Sequence, residues 1–211
     1  MQPLNSLLVI NSSAAREGSV SRELVEYATD RLLQDAPEAK VVRRDLGSNP
    51  VPHLDVGTLN GVRGTPATPE EHAARKLSDE LIAELRAADT IVIGAPMYNF
   101  GVTTSLRAWF DHVLRAGETF SYSAEGPRGL LGGKRAIVVE SRGGLYSEGP
   151  AAAIDFQEPY LRHLLGFIGI KDVTFVHAEK IGYGPDARAA ALASARGRLD
   201  ALAAGELARA A

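Results

Sequence analysis

Three short segments of this chain carry side chains able to hold a ligand. The first runs Asn11-Ser12-Ser13 and resumes at Gly18-Ser19-Val20-Ser21. Ser12, Ser19 and Ser21 offer hydroxyl donors, with Val20 set between two of them. If a helix starts there, its free amides and positive dipole end complete a phosphate site that needs no lysine. Serine is also a favoured helix cap, so this segment alone does not separate anion binding from capping. The second segment, Ala95-Pro96-Met97-Tyr98-Asn99-Phe100-Gly101, groups a thioether, two aromatics and an amide. Flat apolar surface with an amide edge suits a planar heterocycle with a polar rim. Simple loop packing by Tyr98 and Phe100 is the plainer account. The third, Ser141-Arg142-Gly143-Gly144, presents backbone amides free of Cβ obstruction, so a ring could approach the main chain closely. An ordinary glycine turn would read the same way. Arg142 could touch a phosphate or an acceptor, or stay a solvated loop residue.

Each segment follows a pattern that reads as a buried strand. Ser6 to Ile10 (SLLVI), Thr90 to Ala95 (TIVIGA, stopped by Pro96) and Ala136 to Glu140 (AIVVE) are short, continuous apolar runs. Ala39 to Arg43 and Val173 to Ala178 supply two further strands. Between them lie helical patterns at Ser19 to Leu33, Thr68 to Ala87, Thr103 to Arg115, Asp155 to Ile168 and Asp186 to Leu207. Ser21 is the expected N-cap of the first, the Thr68-Pro69-x-Glu71 group starts the second, and Gly117 is expected as the C′ glycine of the third. Leu46 to Pro69 is rich in Pro and Gly and reads as a long surface excursion, and Phe120 to Gly133 as a hairpin or loop. Five strands alternating with helices predict a single α/β domain over residues 1–211. The expected form is a flavodoxin-like three-layer sandwich whose five parallel strands run in the order 2-1-3-4-5. In that order the three segments converge on one sheet edge, at the carboxyl ends of neighbouring strands, where such folds bind ligands.

Composition narrows the function. The chain has 211 residues, a net charge of −3 and no cysteine. No basic surface is offered to nucleic acid or to anionic lipid, and no thiolate chemistry is possible. The first residues carry no basic leader and no stretch is long enough to span a bilayer, so a cytoplasmic protein is expected. The histidines at 53, 72, 112, 163 and 177 show no metal-binding spacing, and no metal is expected. His177 is expected as a core or interface residue and not as a catalytic one. Trp109 and Phe110, inside a helix, are expected in core or dimer packing. Gly182-Tyr183-Gly184-Pro185-Asp186-Ala187 has dinucleotide-fingerprint spacing but follows the last strand, where the required βαβ context is missing.

Taken together, the segments resemble the FMN-dependent NADH-azoreductase family of flavodoxin-like quinone reductases. The resemblance runs through the early serines, Arg44-Asp45-Leu46, Leu77 to Ile82, APMYNF at 95–100, Thr119-Phe120, SRGG at 141–144, LGFIGI at 165–170 and Tyr183-Gly184-Pro185. It implies that Ser12, Ser19, Val20 and Ser21 hold the FMN phosphate, that Pro96 to Phe100 line the ring and ribityl chain, and that Ser141 to Gly144 meet the pyrimidine edge. It further implies a homodimer with active sites at the interface, where Phe120 and Phe167 enclose the substrate. A ping-pong cycle from NADH or NADPH to quinones and azo compounds follows, carried by the flavin without a catalytic acid or base. A flavodoxin-type electron carrier is the alternative; a net charge of −3 is modest for the charged docking face such a carrier needs.

Overall fold

The computed structural model describes residues 4–205. Its centre is a five-stranded parallel sheet, β1 (Ser6–Asn11), β2 (Lys40–Asp45), β3 (Thr90–Pro96), β6 (Arg135–Ser141) and β7 (Asp172–Ala178). The spatial order is β2-β1-β3-β6-β7. Two further strands, β4 (Phe120–Ser123) and β5 (Gly126–Gly129), pair antiparallel as a separate hairpin inside Phe120 to Gly133, the span the sequence reads as a hairpin or loop. β3 is buried at all seven positions, because helices cover both faces of the sheet.

Alternation along the strands divides the core. Leu8, Ile10, Ile91, Ile93, Ala136 and Val138 face one side and pack with α3 (Pro69–Ala87), α4 (Thr104–Val113) and α5 (Glu158–Phe167). Leu7, Val9, Val92, Ile137, Val139 and Val176 face the other, against α1 (Val20–Gln34) and α6 (Pro185–Ala203). Trp109 and Phe110 lie in the first cluster, which assigns them to the core. The Leu207 end expected for α6 lies outside the described residues.

Helix boundaries follow local chemistry. Thr68 and Glu71 form a reciprocal capping box, each side chain accepting from the other's backbone N–H at 3.2 Å, with Pro69 opening α3. The cap of α1 is Ser19 and not Ser21: Ser19 is extended, and its Oγ accepts from the Arg22 N–H, whereas Ser21 already lies in the first turn. Gly117 is not the C′ residue of α4, which ends at Val113; its positive φ of 79° instead shapes the next turn, where its N–H donates to the Phe120 carbonyl. The excursion after β2 is not featureless. A short helix, α2 (Leu59–Arg63), is pinned by Arg75, whose guanidinium donates to the carbonyls of Gly61 and Gly64. A five-residue 3₁₀ turn at Pro150–Ile154 delays α5, which begins at Glu158 and not at Asp155.

Candidate active site

The turns after β1, β3 and β6 meet at the carboxyl edge of the sheet. Main-chain bonds tie them together: the Ser12 N–H donates to the Gly94 carbonyl, and the Met97 N–H to the Ser141 carbonyl. Between the first two turns lies a cleft of about 440 Å³, bordered by Ser12, Ala14, Gly47, Tyr98 and Asn99. That size lies within the ordinary range for a small-molecule site.

The first turn gathers hydroxyls at a helix start. Ser19 Oγ lies 2.9 Å from Ser13 Oγ and 3.3 Å from Ser21 Oγ, beside the first amides of α1. Ser12 is buried, and its hydroxyl donates to the Gly94 carbonyl at 2.7 Å. Val20 is buried in the core below them. Positive character at the helix start and clustered hydroxyls would suit an anion. Sequence reasoning did not assign a role to Ser13, nor to the brace beneath it. Arg22 donates to the carbonyls of Ser13 and Ala15 and forms a two-pronged pair with Asp45 at 2.6 and 2.9 Å. Asp45, held far below the ordinary carboxylate range by Arg22, also accepts from the Gly47 and Ser48 amides. A Cβ on Gly47 would lie 1.9 Å from the Ser13 carbonyl oxygen, so only glycine allows these turns to touch. The Arg44-Asp45 pair in the sequence was the signal available for this brace.

The second turn is strained. Tyr98 and Gly101 exchange backbone hydrogen bonds around Asn99 and Phe100, whose φ values are 48° and 69°. Two successive positive φ angles define a type I′ turn, which asparagine tolerates and phenylalanine resists. Strain of this kind concentrates where a binding surface needs a side chain aimed outward. Both Tyr98 and Phe100 are exposed, at 40% and 45%, which favours a ligand surface over loop packing. The Tyr98 hydroxyl accepts from the Ala14 N–H, and the Phe100 ring stands edge-on to Tyr146.

The third turn is open on one side and anchored on the other. A Cβ built on Gly143 meets nothing within 4 Å. Among the described residues neither the Gly143 nor the Gly144 N–H donates to a protein acceptor, while their carbonyls accept from Gly182 and Lys180. The Gly182–Ala187 segment, which follows the last strand, therefore braces this turn; a Cβ on Gly182 would come within 3.1 Å of the Gly143 carbonyl. The Arg142 side chain is neither solvated nor available to a ligand. It is fully buried, 2.6 Å from Glu140, 2.9 Å from Asp155 and 3.1 Å from Glu179, with its Nε donating to Gln157. Only its main chain borders the turn.

Phe120 and Phe167 are brought to each other and not to these turns. Their rings pack at 4.6 Å, with Phe167 at the end of α5 remote from Glu158, where α5 meets the carboxyl ends of β6 and β7. His177 is no passive core residue. Its Nε2 lies 2.8 Å from Glu158 and 3.2 Å from Glu140, and these bonds raise it to about 9. The three donor atoms lie within 4.8 Å of one another, yet Arg142 already supplies positive charge at Glu140, so a proton suits the position better than a dication.

The flavodoxin-like family model matches residues 5–203, and the chain belongs to that family. Within it, the chain is 68% identical over 196 residues to an FMN-dependent NADH:quinone oxidoreductase of Hyphomonas neptunium, spanning 93% of this chain and 94% of that protein. A protein of the same description from Ralstonia nicotianae is 50% identical, over 90% and 92% of the two chains. Among solved structures, the azoreductase of Bacillus anthracis aligns with a TM-score of 0.87 at 30% identity, covering 95% of this chain and 99% of that one. Among the described residues, no helix is long and apolar enough to cross a membrane.

Proposed function

We propose that the chain is a single-domain, FMN-dependent oxidoreductase that passes two electrons from NADH or NADPH to quinones and to aromatic azo bonds. The observation that carries this reading is the convergence of three turns with complementary chemistry: a hydroxyl cluster at a helix start, a strained aromatic turn, and an open Gly143-Gly144 edge. The relatives' names supply the reaction class.

The residues fit FMN. Ser13, Ser19 and Ser21 with the α1 amides would hold the phosphate, while Ser12, whose N–H and hydroxyl both donate to the Gly94 carbonyl, would position that turn; Pro96 to Phe100 would border the ring, and the Gly143 and Gly144 amides would face its pyrimidine edge. Asn11 Oδ1, buried and without a partner among the described residues, sits at the end of β1 beside this region. FMN held by these residues would supply the hydride chemistry of a ping-pong cycle between a nicotinamide donor and the acceptor. The protein orders the two stacked partners, keeps reacting atoms near contact distance and excludes water. The Gly143 and Gly144 donors favour negative charge at the rim they face.

One copy leaves this edge open. The exposed Tyr98, Phe100 and Phe156 form a wall with no lid among the described residues, while Phe120 and Phe167 lie elsewhere. A homodimer in which the partner contributes those rings would close the site. A cytoplasmic location fits an NADH-driven enzyme without cysteine.

The visible spectrum of purified protein, followed by anaerobic titration with NADH and with NADPH, tests the cofactor directly. NADH-dependent reduction of a quinone by the protein alone separates this enzyme from an electron carrier, which would show none. Light scattering in solution tests the dimer.

A further inference from the structure

Glu140 and His177 are register partners on β6 and β7, so their side chains stand side by side on the face covered by α5. Strand positions there otherwise carry apolar residues such as Val138 and Phe175. Glu158, in the first turn of α5, closes the set by accepting from His177, and is itself paired with Arg162. Arg142 joins Glu140 to Asp155, which precedes α5, and to Glu179, which follows β7. Arg198 of α6 points to the Phe175 carbonyl and takes no part. With the imidazole protonated, three cations (Arg142, Arg162 and His177) face four carboxylates (Glu140, Asp155, Glu158 and Glu179). Without that proton the Nε2–H still donates, but the ring's charge is gone, the net negative charge of the network rises from one to two, and Glu140, whose Oε1 has no partner among the described residues, is compensated by Arg142 alone.

We propose that His177 is a positioning residue whose protonated ring holds Glu140 and Glu158 together, keeping Arg142 anchored and the Ser141–Gly144 turn shaped for the cofactor. The chain of contacts is short. Arg142 is itself the second residue of the turn, and its N–H and carbonyl pair with Ala178 and Ile181. One residue therefore joins the buried charge network, through its guanidinium, to the main chain of the turn. The inference rests on the reading of that turn as a flavin contact.

The test is FMN affinity of the apoprotein, followed by quenching of flavin fluorescence from about pH 7 to about pH 9.5. Wild-type affinity should hold at neutral pH and fall about tenfold as the ring loses its proton near 9. His177→Gln should bind weakly across the range with no such step, and His177→Lys should keep neutral-pH affinity at the alkaline end. An NMR titration of the His177 ring should place its midpoint near 9 in wild type and lower in Glu158→Gln. Equal affinity and equal pH profiles in wild type and His177→Gln, both binding FMN, would overturn the positioning role, as would a wild-type ring titrating near 6.5. Failure of the wild-type protein to bind FMN at neutral pH would overturn the cofactor reading and the inference with it.

Discussion

The two ends of the sheet make an instructive contrast. At the amino end lies the larger cavity, about 1220 Å³, bordered by Asp35, Asp89, Gly133, Lys134 and Asp172 among others. At the carboxyl end the cleft is about a third of that size. Yet the amino end spends its polar groups on structure: Lys134 donates to the carbonyls of Arg86 and Ala88, and Asp89 accepts from the Asn5 N–H. The carboxyl end holds the clustered hydroxyls, the positive-φ Phe100, the amides of Gly143 and Gly144 and a buried charge network. Volume alone does not mark a site. Polar groups gathered at a cleft, held there by strain and by buried bracing, are what support the proposed site at the carboxyl end.

The sharpest way to break this contrast is to remove the bracing. Arg142→Ala leaves Glu140, Asp155 and Glu179 without their shared cation and should cost about 3–5 kcal/mol in urea unfolding. A loss under about 1 kcal/mol would show that the network is not structural. Gly143→Val comes next. Its side chain would project where no protein atom lies within 4 Å, so stability should hold while FMN affinity falls at least about tenfold, roughly 1.4 kcal/mol. Unchanged affinity would remove this turn from the site.

Phe120→Leu should move the acceptor KM by a few-fold, on the order of 1 kcal/mol, with FMN binding unaltered. Loss of flavin instead would mean that the ring supports the cofactor. Stability should also titrate at the carboxyl end. His177 sits above its ordinary 6.5, so its contribution is complete below that value and is lost as pH rises through about 9. Glu158, drawn down to about 2 by its bond from His177, contributes above 4.5 and loses that contribution as pH falls toward 2. Urea midpoints measured across both windows should decline at each end, and His177→Gln should abolish the alkaline decline. The smallest effect belongs to the amino end: Asp35→Asn, beside the larger cavity, should leave the FMN dissociation constant within about twofold. A larger change would give that cavity a function.

Local patterns determined much of this molecule. Short, β-branched apolar runs such as Ile91–Ile93, stopped by residues like Pro96, read as strands covered on both faces, and alternation with amphipathic helices leaves a parallel sheet as the arrangement that buries them all. The Thr68–Glu71 box and the meeting of three turns at the carboxyl edge were legible for the same reason, since their signals lie within a few consecutive residues. Other features needed the tertiary structure. Ser19 and Ser21 are equally good caps by residue type, and backbone geometry chose between them. Arg142 reads as a loop arginine until residues 13 to 37 positions further along supply Asp155 and Glu179 around it. His177 reads as an intruder in an apolar strand until register sets it beside Glu140 and helix packing brings Glu158 over both. Hydrophobic periodicity is written along the chain, but charge compensation in a buried network is a property of neighbours in space, and only the packed fold decides who those neighbours are.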